Sequence, residues 1–230
     1  MDKAQFEMLF DEIKDVIVFR CPDGQDAADL IHIAEFVVAK RISVISAEPK
    51  SVELLWTWLE SAPTKILARF FLENHKNKKI DLAGDISALS GEINHVFKKG
   101  AAGAQIFIPV SSLDAFVNEL LLVRDGLFFN KDLVLGMDLH EINASDWGSL
   151  FKNLNKIRVD ALLLYLSNNK KGLVDFVGRI YGLLENLDFE FSGELHFMLG
   201  DDFGKMEQVW RLVHKMRPEI APRLRFFTGN

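Results

Sequence analysis

The chain has few of the residues that build cross-linked or disordered proteins. It contains one cysteine, Cys21, and six prolines among 230 residues. A single cysteine excludes an intramolecular disulfide framework and a zinc site made from cysteine pairs. With 49% hydrophobic residues the composition is that of a globular protein and not of a disordered one. The cysteine usage also predicts a reducing, cytoplasmic compartment.

Positive charge is scarce as well. There are 27 Lys and Arg against 33 Asp and Glu, which gives a net charge of −6. Nucleic-acid binding requires clustered basic side chains, so we expect no nucleic-acid partner. No apolar run approaches the ~20 residues of a membrane span, and the acidic N-terminus lacks the basic start of a signal peptide. We therefore expect a soluble protein without a membrane partner.

What the chain does have is a repeated alternation of short apolar runs with amphipathic helices. The runs are apolar at nearly every position, as in parallel strands that are covered on both faces. There are about eight of them, the number that closes a parallel barrel. The sequence therefore predicts one α/β domain, a (β/α)8 TIM barrel over residues 1–230, with an N-terminal helix at Asp2–Lys14. The predicted strands are Val16–Arg20, Ile42–Ser46, Lys79–Ala83, Gln105–Val110, Leu133–Leu139, Ala161–Ser167, Glu194–Leu199 and Leu224–Thr228.

One segment, Ser61–His75, fits two interpretations. Ile66, Leu67 and Phe70 have helical spacing, whereas Lys65–Phe71 also suits a strand. Pro63 stands where a helix can begin, so the prediction is a helix, and the third strand is placed at Lys79–Ala83.

Three stretches carry a resemblance to a known family. Asp26–Pro49 has a predicted helix, a strand and a following proline, and Lys78–Ser112 has a strand, an acidic turn, a helix that ends in a Gly-Ala corner, and a second strand. The third stretch, Leu133–Ser167, has a strand, a helix and a strand. Their spacing resembles the orotidine monophosphate decarboxylase suprafamily, especially 3-keto-L-gulonate 6-phosphate decarboxylase and hexulose-6-phosphate synthase. The resemblance implies a homodimer that binds a phosphorylated small molecule and acts as a lyase, decarboxylase or isomerase.

The chain departs from that family in its catalytic motif. The family's third strand ends in Asp-x-Lys-x-x-Asp; here Asp81 takes the first position, but Ala83 and Ile86 stand in place of the lysine and the second aspartate. This departure favours a second class of function. In that class the barrel is catalytically degenerate and binds a ligand or a protein partner.

Catalytic candidates are sought at the C-terminal ends of strands, where barrel enzymes place their active sites. Asp81 and Asp138 lie within apolar strands, where an unpaired carboxylate is costly to bury. His140 follows Asp138 on the same strand face and provides a general base. The prediction is that Asp81, Asp138 and His140 are catalytic; the alternative is that the aspartates only cap the following helices. Cys21 is expected to be an inert thiol, since no neighbouring residue supplies a base.

The same strand ends offer oxygen ligands for a metal ion. Asp81, Asp85 and Glu141 could together hold Mg²⁺, because hard cations prefer carboxylates. A solvated loop without a metal is the commoner outcome for such residues. The cofactor stays open at this point.

Phosphate in such barrels binds at the loops after strands 7 and 8, where backbone amides point at the anion. Glycines in these loops permit a close approach. Asp201 and Asp202 would repel phosphate unless they are turned away as helix caps. No eighth helix follows the last strand, so we expect either that a partner subunit or the N-terminal helix covers that gap, or that the phosphate site is incomplete. The predicted substrate- and phosphate-binding residues are Gly200, Gly204, Thr228, Gly229 and Lys170.

Overall fold

The fold is a closed parallel β-barrel. The computed structural model describes residues 16–72, 82–126, 130–166, 173–187, 191–199 and 202–228, and for 82–87, 173 and 174 it describes the backbone alone. Each strand pairs in parallel with the next, and β1 pairs with β8, which closes the barrel. This confirms the predicted (β/α)8 architecture. The strands are β1 Ile17–Arg20, β2 Val44–Ala47, β3 Lys65–Phe71, β4 Gly103–Phe107, β5 Asp132–Asp138, β6 Ala161–Tyr165, β7 Glu194–Met198 and β8 Leu224–Thr228.

A helix follows each of the first seven strands. In the described ranges no helix is both long enough and apolar enough to cross a bilayer. The predicted helix Asp2–Lys14 lies outside those ranges. The helices are α1 Ala27–Ala39, α2 Val52–Leu59, α3 Leu82–Lys98, α4 Leu113–Gly126, α5 Trp147–Ile157, α6 Leu173–Asn186 and α7 Phe203–Met216.

The third strand differs from its prediction. Lys65–Phe71, predicted as a helix, is β3, and the end of the predicted strand Lys79–Ala83 belongs to α3, which begins at Leu82. Five consecutive residues of β3 are buried, so apolar and polar residues do not alternate along it as they do in a half-exposed strand. The helical spacing of its apolar residues is a coincidence. Asp81 therefore does not lie on the third strand, and the family's Asp-x-Lys-x-x-Asp motif has to be sought at the end of Lys65–Phe71 instead.

The barrel interior and the layer between strands and helices form two separate apolar clusters. Inside the barrel, Val18, Leu67, Phe107 and Val134 pack together, while the alternate residues of each strand pack against the helices. Gly136 makes the interior packing possible, because a Cβ there would lie 2.7 Å from the ring of Phe107.

Strand alternation turns several polar side chains inward at the C-terminal ends of the strands. In the pairing register Arg20 lies opposite Ser46, Arg69 opposite Gln105, and Asp138 opposite Tyr165. All of these positions share a face with the interior cluster. We call this end of the barrel the mouth.

Candidate active site

Asp138 ends β5 at the mouth and is only 5% exposed. Its Oδ1 accepts the backbone N–H of His140 at 2.9 Å, which caps the short 3₁₀ turn Leu139–Glu141. The same oxygen lies 3.6 Å from Nδ1 of His140. The structure thus brings these two predicted residues together, although His140 belongs to the turn and not to the strand.

The His140 ring lies between two carboxylates. Its Nε2 is 3.9 Å from Oδ2 of Asp175 on α6, and Nε of Arg179 donates to that same oxygen at 3.0 Å. Nη1 of Arg179 also donates to the carbonyls of Leu139 and Ile142, at 3.1 and 3.0 Å. Arg179 therefore fixes the turn that carries His140.

An aromatic stack lies beside Asp138 on the inner face. The ring of Tyr165 is 5.5 Å from that of Phe107, and Phe107 stacks on Phe71 at 4.7 Å. Burial raises the pKa of the Tyr165 phenol, and the negative charges of Asp138 and Glu141 raise it further. Tyr165 is therefore protonated at neutral pH and can donate a hydrogen bond.

On the β1–β4 side, the mouth carries positive charge. Arg69, only 2% exposed, donates from Nη2 to Oδ1 of Asp23 at 2.5 Å and to the Cys21 carbonyl at 2.9 Å. Its Nη1 donates to the Ser46 hydroxyl at 3.2 Å. Arg20 lies near the same carboxylate, with Nη2 3.5 Å from Oδ2 of Asp23.

Cys21 is fully buried beside these arginines. Burial raises the pKa of its thiol to about 11, although the charge of Arg69 opposes that shift. A thiol with so high a pKa is a poor nucleophile at neutral pH.

The predicted metal site lies largely outside the described residues. Asp81 and the side chain of Asp85 fall there, while the carboxylate of Glu141 accepts the backbone N–H of Val110 at 3.0 Å. Within the part of the chain that the structure describes, no group of three or more His, Cys, Asp or Glu is arranged to hold a metal ion.

Only two of the predicted phosphate-binding residues are described. Gly204 lies in the first turn of α7, where Asp202 is the N-cap and accepts the Lys205 N–H at 3.1 Å. Thr228 ends β8 opposite Phe19, whose ring contacts Phe36 of α1, so Thr228 faces the helices. Gly200, Gly229 and Lys170 lie outside the described ranges.

Asp202 is turned inward to its own helix. Burial alone would raise the pKa of its carboxyl, but hydrogen bonds from the side chain and backbone of Lys205 lower it overall. The ion pair between Lys205 Nζ and Asp202 measures 3.0 Å. Any anion at this helix terminus therefore competes with the Asp202 carboxylate.

Several residues of the mouth were missed by the sequence analysis, among them Arg69, Gln105, Tyr165 and Asp175. Arg69 fell in the segment predicted as a helix, and Asp175 reaches the mouth from a helix, which spacing cannot reveal. Gln105 and Tyr165 did carry a signal, because each is a polar side chain within an apolar strand.

Comparison with known proteins gives structural likeness alone. The sequence matches no known family profile and no curated protein. The barrel is similar to a Toxoplasma gondii ME49 protein provisionally described as a deoxyribose-phosphate aldolase, with a TM-score of 0.74, 11% identity, and coverage of 99% of this chain and 93% of that one. It is also similar to the Aeropyrum pernix deoxyribose phosphate aldolase, with a TM-score of 0.69, 9% identity, and coverage of 99% of this chain and 94% of that one. A third similar structure is an aldolase named QR15, with a TM-score of 0.69, 10% identity, and coverage of 94% of this chain and 91% of that one.

At these identities the likeness shows the fold. The three structures are described as aldolases, one of them provisionally, so the likeness shows the (β/α)8 barrel and does not single out the orotidine monophosphate decarboxylase suprafamily.

Proposed function

We propose that the chain is a carbon–carbon lyase that acts on a phosphorylated small molecule at the mouth of the barrel. The observation that carries this proposal is the buried carboxylate of Asp138 on the inner face, with His140 and Tyr165 beside it. Two structural neighbours are named as aldolases, which supports aldol cleavage of a carbon–carbon bond over decarboxylation or isomerisation.

The three side chains suit the two proton transfers that cleavage of a β-hydroxy carbonyl compound requires. His140 takes the proton of the substrate hydroxyl, the carbon–carbon bond breaks, and its electron pair forms an enolate on the other fragment. Tyr165, which stays protonated because its pKa is raised, donates its proton to the enolate oxygen. His140 then gives its proton to the enol carbon while Tyr165 takes its own back from the enol oxygen, which forms the carbonyl product and restores both side chains. Asp138 positions His140 through the capping hydrogen bond, and its negative charge lies 3.6 Å from Nδ1 of the ring that becomes positive when it takes the proton.

A lysine Schiff base is another way to stabilise the same electron pair. Among the described strands, none ends at the mouth in a lysine. Lys170, predicted to bind substrate, follows β6 and lies outside the described ranges, so this variant of the mechanism is left to experiment.

For the phosphate we propose the loops after β7 and β8, with Gly200, Gly204, Gly229 and Lys170 as predicted from the sequence. Thr228, also predicted, contributes its backbone, because its side chain faces the helices. The first turn of α7 supports this location, since an anion that displaces the Asp202 carboxylate gains the backbone amide and the ammonium group of Lys205. A homodimer stays part of the proposal.

The test is turnover of a panel that contains 2-deoxyribose 5-phosphate and several ketose phosphates, with and without Mg²⁺, followed by aldehyde release. The lyase predicts cleavage of at least one substrate and a large loss of kcat in Tyr165→Phe. Borohydride added during turnover would trap a Schiff base as a covalent adduct in the mass spectrum. Absence of cleavage throughout the panel would reject the lyase.

The second candidate is a barrel that binds a ligand without transforming it. It is favoured by the internal pairing of the charged groups at the mouth, such as Arg69 with Asp23 and Arg179 with Asp175. A binding barrel predicts that sugar phosphates raise Tm without turnover, because ligands that bind the folded state stabilise it.

A further inference from the structure

The β1–β4 side of the mouth contains hydrogen-bond donors that lack acceptors. Nε of Arg20, Nε of Arg69 and Nε2 of Gln105 are shielded from solvent and have no partner among the described residues. Buried donors are normally paired, since an unmade hydrogen bond leaves the cost of desolvation uncompensated. All three are N–H groups, so the missing partner is an acceptor.

The orientation of Gln105 is set by Ser46. The Ser46 hydroxyl accepts from Nη1 of Arg69, and its own proton goes to Oε1 of Gln105 at 2.5 Å. The carbonyl oxygen of the amide is thereby used, and its nitrogen is left as the donor. Arg20, Ser46, Arg69 and Gln105 occupy inward positions on four consecutive strands, so they face one another across this part of the mouth.

The charges of this group do not cancel. Arg20 and Arg69 carry two positive charges, and Asp23 carries one negative charge; Glu48 is balanced by Lys50, with which it forms an ion pair at 3.2 Å. Burial lowers the pKa of the Arg69 guanidinium, and the charge of Asp23 opposes that effect. One positive charge is left uncompensated while Asp23 is in place, so this side of the mouth attracts an anion.

A carboxylate already occupies the gap between the two arginines. The oxygens of Asp23 lie 2.5 Å from Nη2 of Arg69 and 3.5 Å from Nη2 of Arg20. The Asp23 side chain is 50% exposed, against 29% for Arg20 and 1% for Arg69. It precedes Gly24, whose positive φ of 75° belongs to a tight turn on the surface. Asp23 is thus the member of the group that solvent and a ligand reach first.

We propose that Arg20, Arg69 and Gln105 form a carboxylate-binding subsite, and that a small organic acid binds there by displacing Asp23. This inference rests on the proposed function for its place in a catalytic mouth, and it narrows the substrate class to phosphorylated acids that carry a carboxylate as well. The displaced Asp23 side chain moves into solvent, and the ligand carboxylate accepts the hydrogen bonds that the buried N–H groups lack.

The test measures Tm against the concentration of sodium acetate, with acetamide as the neutral molecule of the same shape and sodium chloride at matched ionic strength. Acetate should raise Tm more than either of these compounds. Asp23→Asn, which keeps the size of the side chain and removes the competing charge, should enlarge the acetate shift. Arg20→Gln should abolish it, and Arg211→Gln, at an exposed arginine of α7, should leave it unchanged.

Two outcomes would overturn the subsite: acetate no better than acetamide, or the same acetate shift in Arg20→Gln as in the unmodified chain. A third outcome would also reject the proposal: inorganic phosphate raises Tm more than acetate does, and Arg20→Gln abolishes that shift. The subsite would then bind a phosphate group and not a carboxylate. If Asp23→Asn does not fold, the Arg20→Gln comparison decides. The acetate experiment measures Tm and needs no turnover, so it tests the subsite alone. The substrate panel tests the lyase, and the failure of one proposal is therefore distinguishable from the failure of the other.

Discussion

Oδ1 of Asp138 both accepts the backbone N–H of His140 and lies 3.6 Å from the imidazole of the same residue. One carboxylate oxygen thus caps the 3₁₀ turn and lies close to the imidazole ring of a residue in that turn. The two functions of Asp138 can be separated, because an amide oxygen retains the cap and loses the charge.

The first prediction concerns Asp138→Asn. The variant should keep the fold and lower kcat by about 10²-fold or more on any substrate that the chain cleaves, because a positioned acid–base pair contributes at that scale. Steady-state kinetics and a thermal melt measure the two effects. Asp125→Asn, at an exposed carboxylate that pairs with Arg158, is the matched control. An unchanged kcat in Asp138→Asn would remove Asp138 from the mechanism.

Most of the barrel could be predicted from the sequence because parallel strands are buried on both faces. β5 and β8 are apolar runs bounded by polar residues, and their predicted and observed limits agree within one or two residues. β3 could not be separated from a helix, since burial on both faces removes the alternation that identifies a strand.

The candidate site could likewise be predicted only in part. Asp138 was predicted because a carboxylate within an apolar strand needs a partner, and the structure supplies His140. The contacts of Arg69 could not be predicted. They join β3 to Asp23 and Ser46, which are 46 and 23 residues away along the chain, and such pairs follow only from the closed barrel.

A second prediction follows from Cys21. Its folded-state pKa of about 11 exceeds the ordinary 9.0, so the folded protein holds the thiol proton more tightly than the unfolded chain does. The associated stability is complete below pH 9.0 and is lost as the pH rises through 11; it amounts to about 2 to 3 kcal/mol. The free energies of unfolding of the unmodified chain and of Cys21→Ala, measured in urea, should therefore converge, or cross, as the pH rises from 9.0 to about 11. Parallel pH profiles would contradict the shift.

The third prediction concerns His196 at the other end of the barrel interior. His196 is 4% exposed, and burial lowers its pKa, although a 2.8 Å contact with Glu194 opposes the effect. A lowered folded-state pKa means that stability is present above the ordinary value of 6.5 and is lost as the pH falls through the folded value.

His196→Gln should remove that acid sensitivity, because glutamine can contact Glu194 and does not titrate. The free energy of unfolding, measured from neutral to mildly acidic pH, should fall less in this variant than in the unmodified chain. His214→Gln, at an exposed histidine of α7, should behave as the unmodified chain does. Equal acid sensitivity in all three proteins would show that His196 is not responsible.

The last prediction concerns Gly136, whose absent side chain leaves room for Phe107. An alanine Cβ there would lie 2.7 Å from one ring carbon and 2.9 Å from another, both too close for atoms in contact. We expect Gly136→Ala to lower the free energy of unfolding by about 1–3 kcal/mol through overpacking, and to change the near-ultraviolet circular dichroism as Phe107 shifts against Tyr165.

The matched control is Gly178→Ala on α6. No atom lies within 4 Å of the Cβ that this change would add, and alanine is the better helix former, so the variant should be more stable by about 0.5–1 kcal/mol. Opposite signs for the same substitution would assign the Gly136 effect to packing inside the barrel. If Gly136→Ala were as stable as the unmodified chain, the Phe107 ring would have space to move, and the aromatic stack beside Asp138 would not be held by β5.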